Sequence, residues 1–225
     1  MNDVVRIDVV SDVACPWCAI GVKTLERALQ ATQGSINVEV HLQPFELNPD
    51  MPEGGQEVFA YLSRKYGTSV EQVKANQQRI YDRAREVGFE FHPEGRKHVY
   101  NTFNCHRLIH WASTEYGPEQ ALSLKKALLA AYFTYADNMD DVQTLINAVQ
   151  AAALDTDRAA QILAGDEFSP EVRAAQAHWK ALGIQGVPAF ILNNKFLIEG
   201  AQPEENLVAA IRQAHERSRS DDAGH

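Results

Sequence analysis

No stretch of this sequence approaches the ~20 consecutive apolar residues that a membrane-spanning helix needs, and no such span is expected. Basic charge is scarce as well. Against 30 Asp and Glu stand 21 Lys and Arg, for a formal net charge of −9, and no run of Lys and Arg interrupts the acidic excess. Nucleic acid and anionic membrane surfaces both reward basic patches, so neither is expected as a partner. Cysteine is rarer still, at three in 225 residues. In a reducing compartment that usage points to catalysis or redox sensing rather than to a structural bridge. The opening Met1-Asn2-Asp3-Val4 lacks a basic region followed by a long apolar segment, which leads to the expectation of a cytoplasmic protein.

What is present begins with length enough for one generous domain, or one domain carrying a large insertion. Two of the three cysteines stand close together, in Cys15-Pro16-Trp17-Cys18. This stretch follows the apolar run 4–10 and opens a helical pattern through Gln30. Thiols three apart on a helix lie one above the other, with Cα atoms ~5 Å apart, inside the range a disulfide accepts. At a helix start the unpaired N–H groups and the positive dipole end favour a thiolate, the form that attacks disulfides. Position therefore makes Cys15 the candidate nucleophile and Cys18 the resolving thiol. Pro16 suits an early helical position, where its missing N–H costs nothing, and Trp17 either lines a substrate surface or shields the sulfurs. The competing reading is half of a zinc site, but the other half is absent, since Cys105 and His106 are adjacent and point about 100° apart on a helix. No metal site is expected.

After the dithiol helix, Gly34-Ser35 breaks the pattern and residues 36–42 alternate apolar and polar, as a half-buried strand does. Strand, helix, strand implies a parallel pair with a right-handed crossover, placing the dithiol at the C-terminal edge of the first strand. That edge is where open α/β sheets hold their chemistry. Residues 43–55 read as a loop rich in Pro and Gly. Helical periodicity then dominates, over 57–66, 70–87, 97–116, 118–135, 141–153, 156–164 and 169–182. Ser69, Asp140, Asp155 and Ser169 are candidate N-caps, and Gly67, Gly88, Gly117 and Gly183 candidate stops. Strand character returns in 189–192 and 196–198 around the turn Asn193-Asn194-Lys195, a hairpin pattern. Pro203 leads a last helix over 204–217, followed by a polar tail expected to fray. The order is that of an α/β thioredoxin fold, residues 1–44 and 169–225, with an all-helical insertion, 45–168, between its second and third strands.

The chain resembles the DsbA family, and within it the FrnE-like branch. The resemblance rests on the dithiol at the first helix with Ser11-Asp12 before it, on Pro44-Phe45-Glu46-Leu47-Asn48-Pro49, and on Asn101-Thr102 with His106-Arg107-Leu108. It continues in Ala131-Tyr132-Phe133, Gly186-Val187-Pro188 and Gly200-Ala201-Gln202-Pro203. It implies a thiol-disulfide oxidoreductase acting through Cys15 and Cys18 on protein or low-molecular-weight thiol and disulfide substrates, with no cofactor beyond the redox-active disulfide. It also implies a cis proline at Pro188, leaving the backbone of Val187 to pair with substrate; Pro16, Trp17, Val187 and Pro188 become the expected substrate-binding residues.

Two further classes share or could use this architecture. Kappa-class glutathione transferases and 2-hydroxychromene-2-carboxylate isomerases resemble it too, with a serine near the position of Cys15. Their resemblance maps glutathione, as a possible co-substrate, onto Asn48, Val187, Gly200 and Ala201, where a helix N-terminus suits a carboxylate. A non-catalytic chaperone or binding module would instead present an apolar groove on the helical insertion. Cys105 shares a helical arc with Leu108 and Ala112 and reads as a small buried hydrophobe rather than a third redox thiol. His106 and His110, four apart beside Val99 and Phe103, read as packing or substrate-facing residues before metal ligands. Asp8 and Asp12 are the carboxylates nearest the dithiol in sequence, with proton shuttling, surface and capping roles all open.

Overall fold

The computed structural model describes residues 4–223. Nearly every side chain of strand β1 (Val4–Ser11) is buried, on both faces of the sheet. A strand so placed must be central, and β1 pairs on both sides. It runs parallel to β2 (Asn37–Pro44), from Val4 opposite Asn37 to Ser11 opposite Pro44. On its other side it runs antiparallel to β5 (Ala189–Leu192), with Val9 opposite Phe190. The hairpin partner β6 (Phe196–Glu199) completes the order β2-β1-β5-β6. Asn193 and Asn194 both adopt positive φ in the connecting turn, a conformation Asn tolerates better than branched residues.

Helix α1 (Pro16–Thr32) crosses from β1 to β2. Its inner face packs Leu25 and Ala28 against Val5, Ile7, Val9 and Phe190, together with Leu207 and Ile211 of the last helix, α9 (Glu204–Ala223). The opposite sheet face meets Trp179 of α8 (Ser169–Ala181), packed with Val10, Phe45 and Ala189. Between β2 and α8 lie α2 (Val58–Tyr66), α3 (Val70–Val87), α4 (Phe103–Glu115), α5 (Pro118–Leu129), α6 (Val142–Ala151) and α7 (Thr156–Ala164). Their core around Trp111, Leu124, Leu128 and Tyr132 also takes in Val13, Ala14, Ala19 and Val22. The segment carrying the dithiol is thus buried against the helical block as well as the sheet. Sheet order β2-β1-β5-β6 with α1 and α9 on one face and α8 on the other is a thioredoxin fold, with a largely helical block between β2 and α8.

Several local expectations need correction. Residues 97–102 are not the first turns of a helix: His98–Val99 forms β4 and pairs with β3 (Gln56–Glu57), a strand pair too short to leave a pattern. Glu57 is the N-cap of α2, its carboxylate accepting from the N–H groups of Phe59 and Ala60. α5 ends at Leu129 and widens into a π-helical turn, Ala130–Thr134. The wider turn brings the Tyr132 hydroxyl to His98 O and Tyr100 N, each at 3.2 Å, and Phe133 O to His92 N at 2.8 Å. N-capping falls to Asp141 and Phe168 rather than Asp140 and Ser169, while Ser69 and Asp155 cap as expected. Gly67 and Gly88 end α2 and α3 in the left-handed conformation; Gly117, at φ +98°, closes α4 by donating to Ala112 O at 3.1 Å and also serves as the N-cap of α5. The last helix runs to Ala223 rather than 217, because Ser218 is tied down, accepting from Asn193 at 3.0 Å and donating to Ala214 O at 3.0 Å. The rest of the expected fraying tail, 224–225, lies outside the described residues.

Candidate active site

Cys15 is the N-cap of α1, with φ −92° and ψ 115°, and Pro16 occupies the first helical turn. Its carbonyl accepts from Cys18 N at 3.0 Å and Ala19 N at 3.3 Å. That geometry turns the Cys15 side chain out of the helix while Cys18 points into the core. Cys15 retains 4% exposure and Cys18 none, and the two are not bonded to each other. The Cys15 thiol donates to Val187 O at 3.6 Å. The Val187–Pro188 bond is cis, as the resemblance implied, and the Pro188 ring rests against the backbone of Gly21. Trp17 is 40% exposed beside them.

The two thiols are driven apart electrostatically. A hydrogen bond from the Cys18 thiol lowers the pKa of Cys15; burial opposes this, the amides of Cys18 and Trp17 reinforce it, and the charge of Asp12 works against it. Burial pushes Cys18 well above the ordinary thiol range, and a charged Cys15 beside it pushes further. One thiol is thereby prepared to ionise and the other to hold its proton, the division that a nucleophile and a resolving thiol require. The cation acting against the rise at Cys18 is Lys125 of α5, itself 1% exposed and lowered by burial. Sequence reasoning missed Lys125 because Lys125-Lys126 reads as a solvated pair. The available clue was its helical face, shared with Ala121, Leu128 and Leu129.

Asp12 is fully buried and organises the turn before the dithiol. It accepts from Ala14 N at 3.0 Å, Leu47 N at 2.7 Å and the Thr102 hydroxyl at 2.7 Å, with His106 Nε2 at 3.4 Å. Burial alone would raise its pKa, but His106, Leu47 and Thr102 together lower it to about 2. Asp8 faces elsewhere, paired with Arg6 and Gln43. His110 packs on Phe168, with ring centroids 5.6 Å apart. Cys105 lies in the core with Leu108 and Ala112, and burial pushes its thiol up to about 12. Among the described residues no three His, Cys, Asp or Glu gather as a metal-ligand set, and no helix is long and apolar enough to cross a membrane.

Cys15 opens onto a cavity of about 700 Å³ between the dithiol, α2, α3 and the widened turn after α5. Pro16, Trp17, Asn48 and Val187 line it with Cys15. Its far wall is aromatic: Tyr81 stacks on Phe91 at 4.6 Å, and Phe91 meets Phe133 edge-on at 5.1 Å. Arg96 closes one side, donating to Ala14 O at 2.8 Å with its guanidinium over Tyr132 and Phe133. Asn48 accepts from Tyr61 at 2.7 Å and Lys65 at 2.6 Å. Gly200 and Ala201 do not join this wall. Gly200 N is used by Pro188 O at 2.8 Å, and Ala201 lines a separate recess on the other side of Trp17. The helix start beyond them carries its own acids, Glu204 and Glu205, with Glu204 paired to Arg27 at 2.7 Å.

A family model described as the DSBA-like thioredoxin domain matches residues 6–212. A probable DsbA oxidoreductase from Streptomyces coelicolor is 33% identical with a TM-score of 0.85, over 93% of this chain and 89% of that one. The uncharacterized protein YwbO of Bacillus subtilis is 26% identical over 209 residues, 92% of this chain and 96% of that protein. The cytosolic disulfide reductase DsbM from Pseudomonas aeruginosa, solved with GSH, shares the fold at a TM-score of 0.62 and 14% identity, over 96% of this chain and 98% of that one.

Proposed function

The chain belongs to the DSBA-like thioredoxin domain family, and from that premise we propose that it is a FrnE-like thiol-disulfide oxidoreductase working in the cytoplasm through Cys15 and Cys18. The observation that carries this reading is the asymmetry of the pair: Cys15, at the helix N-cap with a lowered pKa, lines a cavity, and Cys18 is sealed behind it with a raised one.

The Cys15 thiolate attacks one sulfur of a substrate disulfide; that bond breaks, and the leaving thiolate takes up a proton. A mixed disulfide then joins Cys15 to the substrate. Cys18 gives up its proton and attacks the Cys15 sulfur, releasing the second substrate thiol and leaving a Cys15–Cys18 disulfide. Two electrons pass from protein to substrate, and the reverse order oxidises a dithiol. Pro16, Trp17, Val187 and Pro188 position the substrate around the sulfur.

Glutathione as a co-substrate is a second reading, favoured by Asn48 on the cavity wall; Gly200 and Ala201 do not contribute to that wall. Reduction of insulin disulfides in the presence of a dithiol reductant tests the first reading. Wild-type protein is expected to catalyse it and Cys15→Ala to abolish it; a Cys15→Ala protein as active as wild type overturns the proposal. Mixed disulfides trapped from lysate on Cys18→Ala distinguish the two: a defined set of proteins supports the first, glutathione alone the second.

A further inference from the structure

The cavity beside Cys15 is cationic in a strongly acidic protein. Lys65, Arg79 and Arg96 line it, and no Asp or Glu does among the described residues. None of the three has a carboxylate within ion-pair distance among the described residues. Their polar contacts are neutral: Lys65 donates to Leu47 O and Asn48, Arg79 to Asn76, and Arg96 to Ala14 O. Other cations of the protein are held by acids, Arg27 by Glu204, Lys126 by Glu26 and Arg158 by Glu115 and Glu167; what sets the cavity apart is that three cations gather on one lining with no acid among them. Cations without an acidic partner around an apolar, aromatic recess next to a nucleophile make a site for an anion with a flat apolar body.

Resting on the dithiol reading above, we propose that this cavity selects low-molecular-weight aromatic disulfides and mixed disulfides that carry carboxylates. The aromatic part lies among Tyr81, Phe91 and Phe133, the carboxylate reaches Lys65, Arg79 or Arg96, and the disulfide stands at Cys15. At about 700 Å³ the recess is of the size that encloses small organic ligands. The exchange balances without any further reactant. Cys15 attacks one sulfur and the first arenethiolate leaves; Cys18 then attacks the Cys15 sulfur and the second leaves. One protein disulfide and two aromatic thiols replace one protein dithiol and one aromatic disulfide.

The test measures the rate at which the reduced protein is oxidised by para-dithiodibenzoate, by its dicarboxamide and by glutathione disulfide, each normalised to its rate with free cysteine. The dicarboxylate is expected to lead the dicarboxamide by about tenfold and glutathione disulfide by several-fold, with the first advantage shrinking as salt is added. Lys65→Gln and Arg79→Gln, both on exposed positions, are each expected to cut the dicarboxylate-to-dicarboxamide ratio about threefold, the size of one partly exposed charge contact. Equal normalised rates, or a ratio insensitive to salt, overturn the inference. A faster glutathione disulfide overturns the aromatic half of it. If none of the three reagents reacts at Cys15, the dithiol reading itself falls; if the dicarboxamide reacts and the carboxylate confers nothing, only this inference does.

Discussion

Gly21 lies so close to Pro188 that a Cβ on it would stand 2.9 Å from the proline Cγ. A ring atom in a closed turn cannot swing aside like the end of a long side chain, and Cζ of Phe190 would be only 3.2 Å away. The missing side chain sets how near α1 comes to the loop that faces the dithiol. Gly21→Ala is expected to destabilise the fold by about 1–3 kcal/mol, as overpacking does, and to slow disulfide exchange by displacing Val187 from Cys15. Denaturant unfolding and the insulin assay check both; unchanged values would mean that the loop yields freely.

Asp12 links the site to acid stability. Its folded pKa, about 2, lies below the ~3.9 of an unfolded Asp. Its contribution, roughly 2–3 kcal/mol, is fully present above pH ~4 and is lost as pH falls through about 2. Unfolding free energy measured from about pH 6 downward should drop across that window in wild type. Asp12→Asn should flatten the drop, and an equal slope in both proteins would contradict this assignment.

The charge of Lys125 works against the burial that raises the Cys18 pKa. Removing it with Lys125→Met, which keeps similar volume, should raise the Cys18 pKa and slow resolution of the mixed disulfide. Each unit of rise leaves about tenfold less thiolate, so quenched single turnovers read by mass should show a longer-lived Cys15 adduct. A lifetime equal to wild type would remove Lys125 from the chemistry.

Much of this was legible in the sequence, for reasons particular to each element. The alternation of 36–42, the continuous apolar run of β1 and the Asn193-Asn194 turn are local patterns, and they placed the sheet. The dithiol carried its own geometry in the spacing of Cys15 and Cys18. What stayed hidden depends on contacts distant in sequence. β3 and β4 are two residues each and exist because Gln56–Glu57 and His98–Val99 meet. The length of α9 beyond 217 goes with a contact from Asn193 to Ser218. Lys125 looks solvated until the dithiol helix is laid over it, and the three cations of the cavity come from three separate segments. The glutathione set implied by resemblance is divided, because Gly200 is spent on Pro188.

The most direct measurement is the pH dependence of alkylation at each cysteine in the folded protein, read by peptide mass. Cys15 is expected to react first, with a midpoint below the ~8.5 of a free thiol, and Cys18 and Cys105 only on unfolding. Alkylation of Cys18 or Cys105 ahead of Cys15, or a Cys15 midpoint at or above the free value, would contradict it.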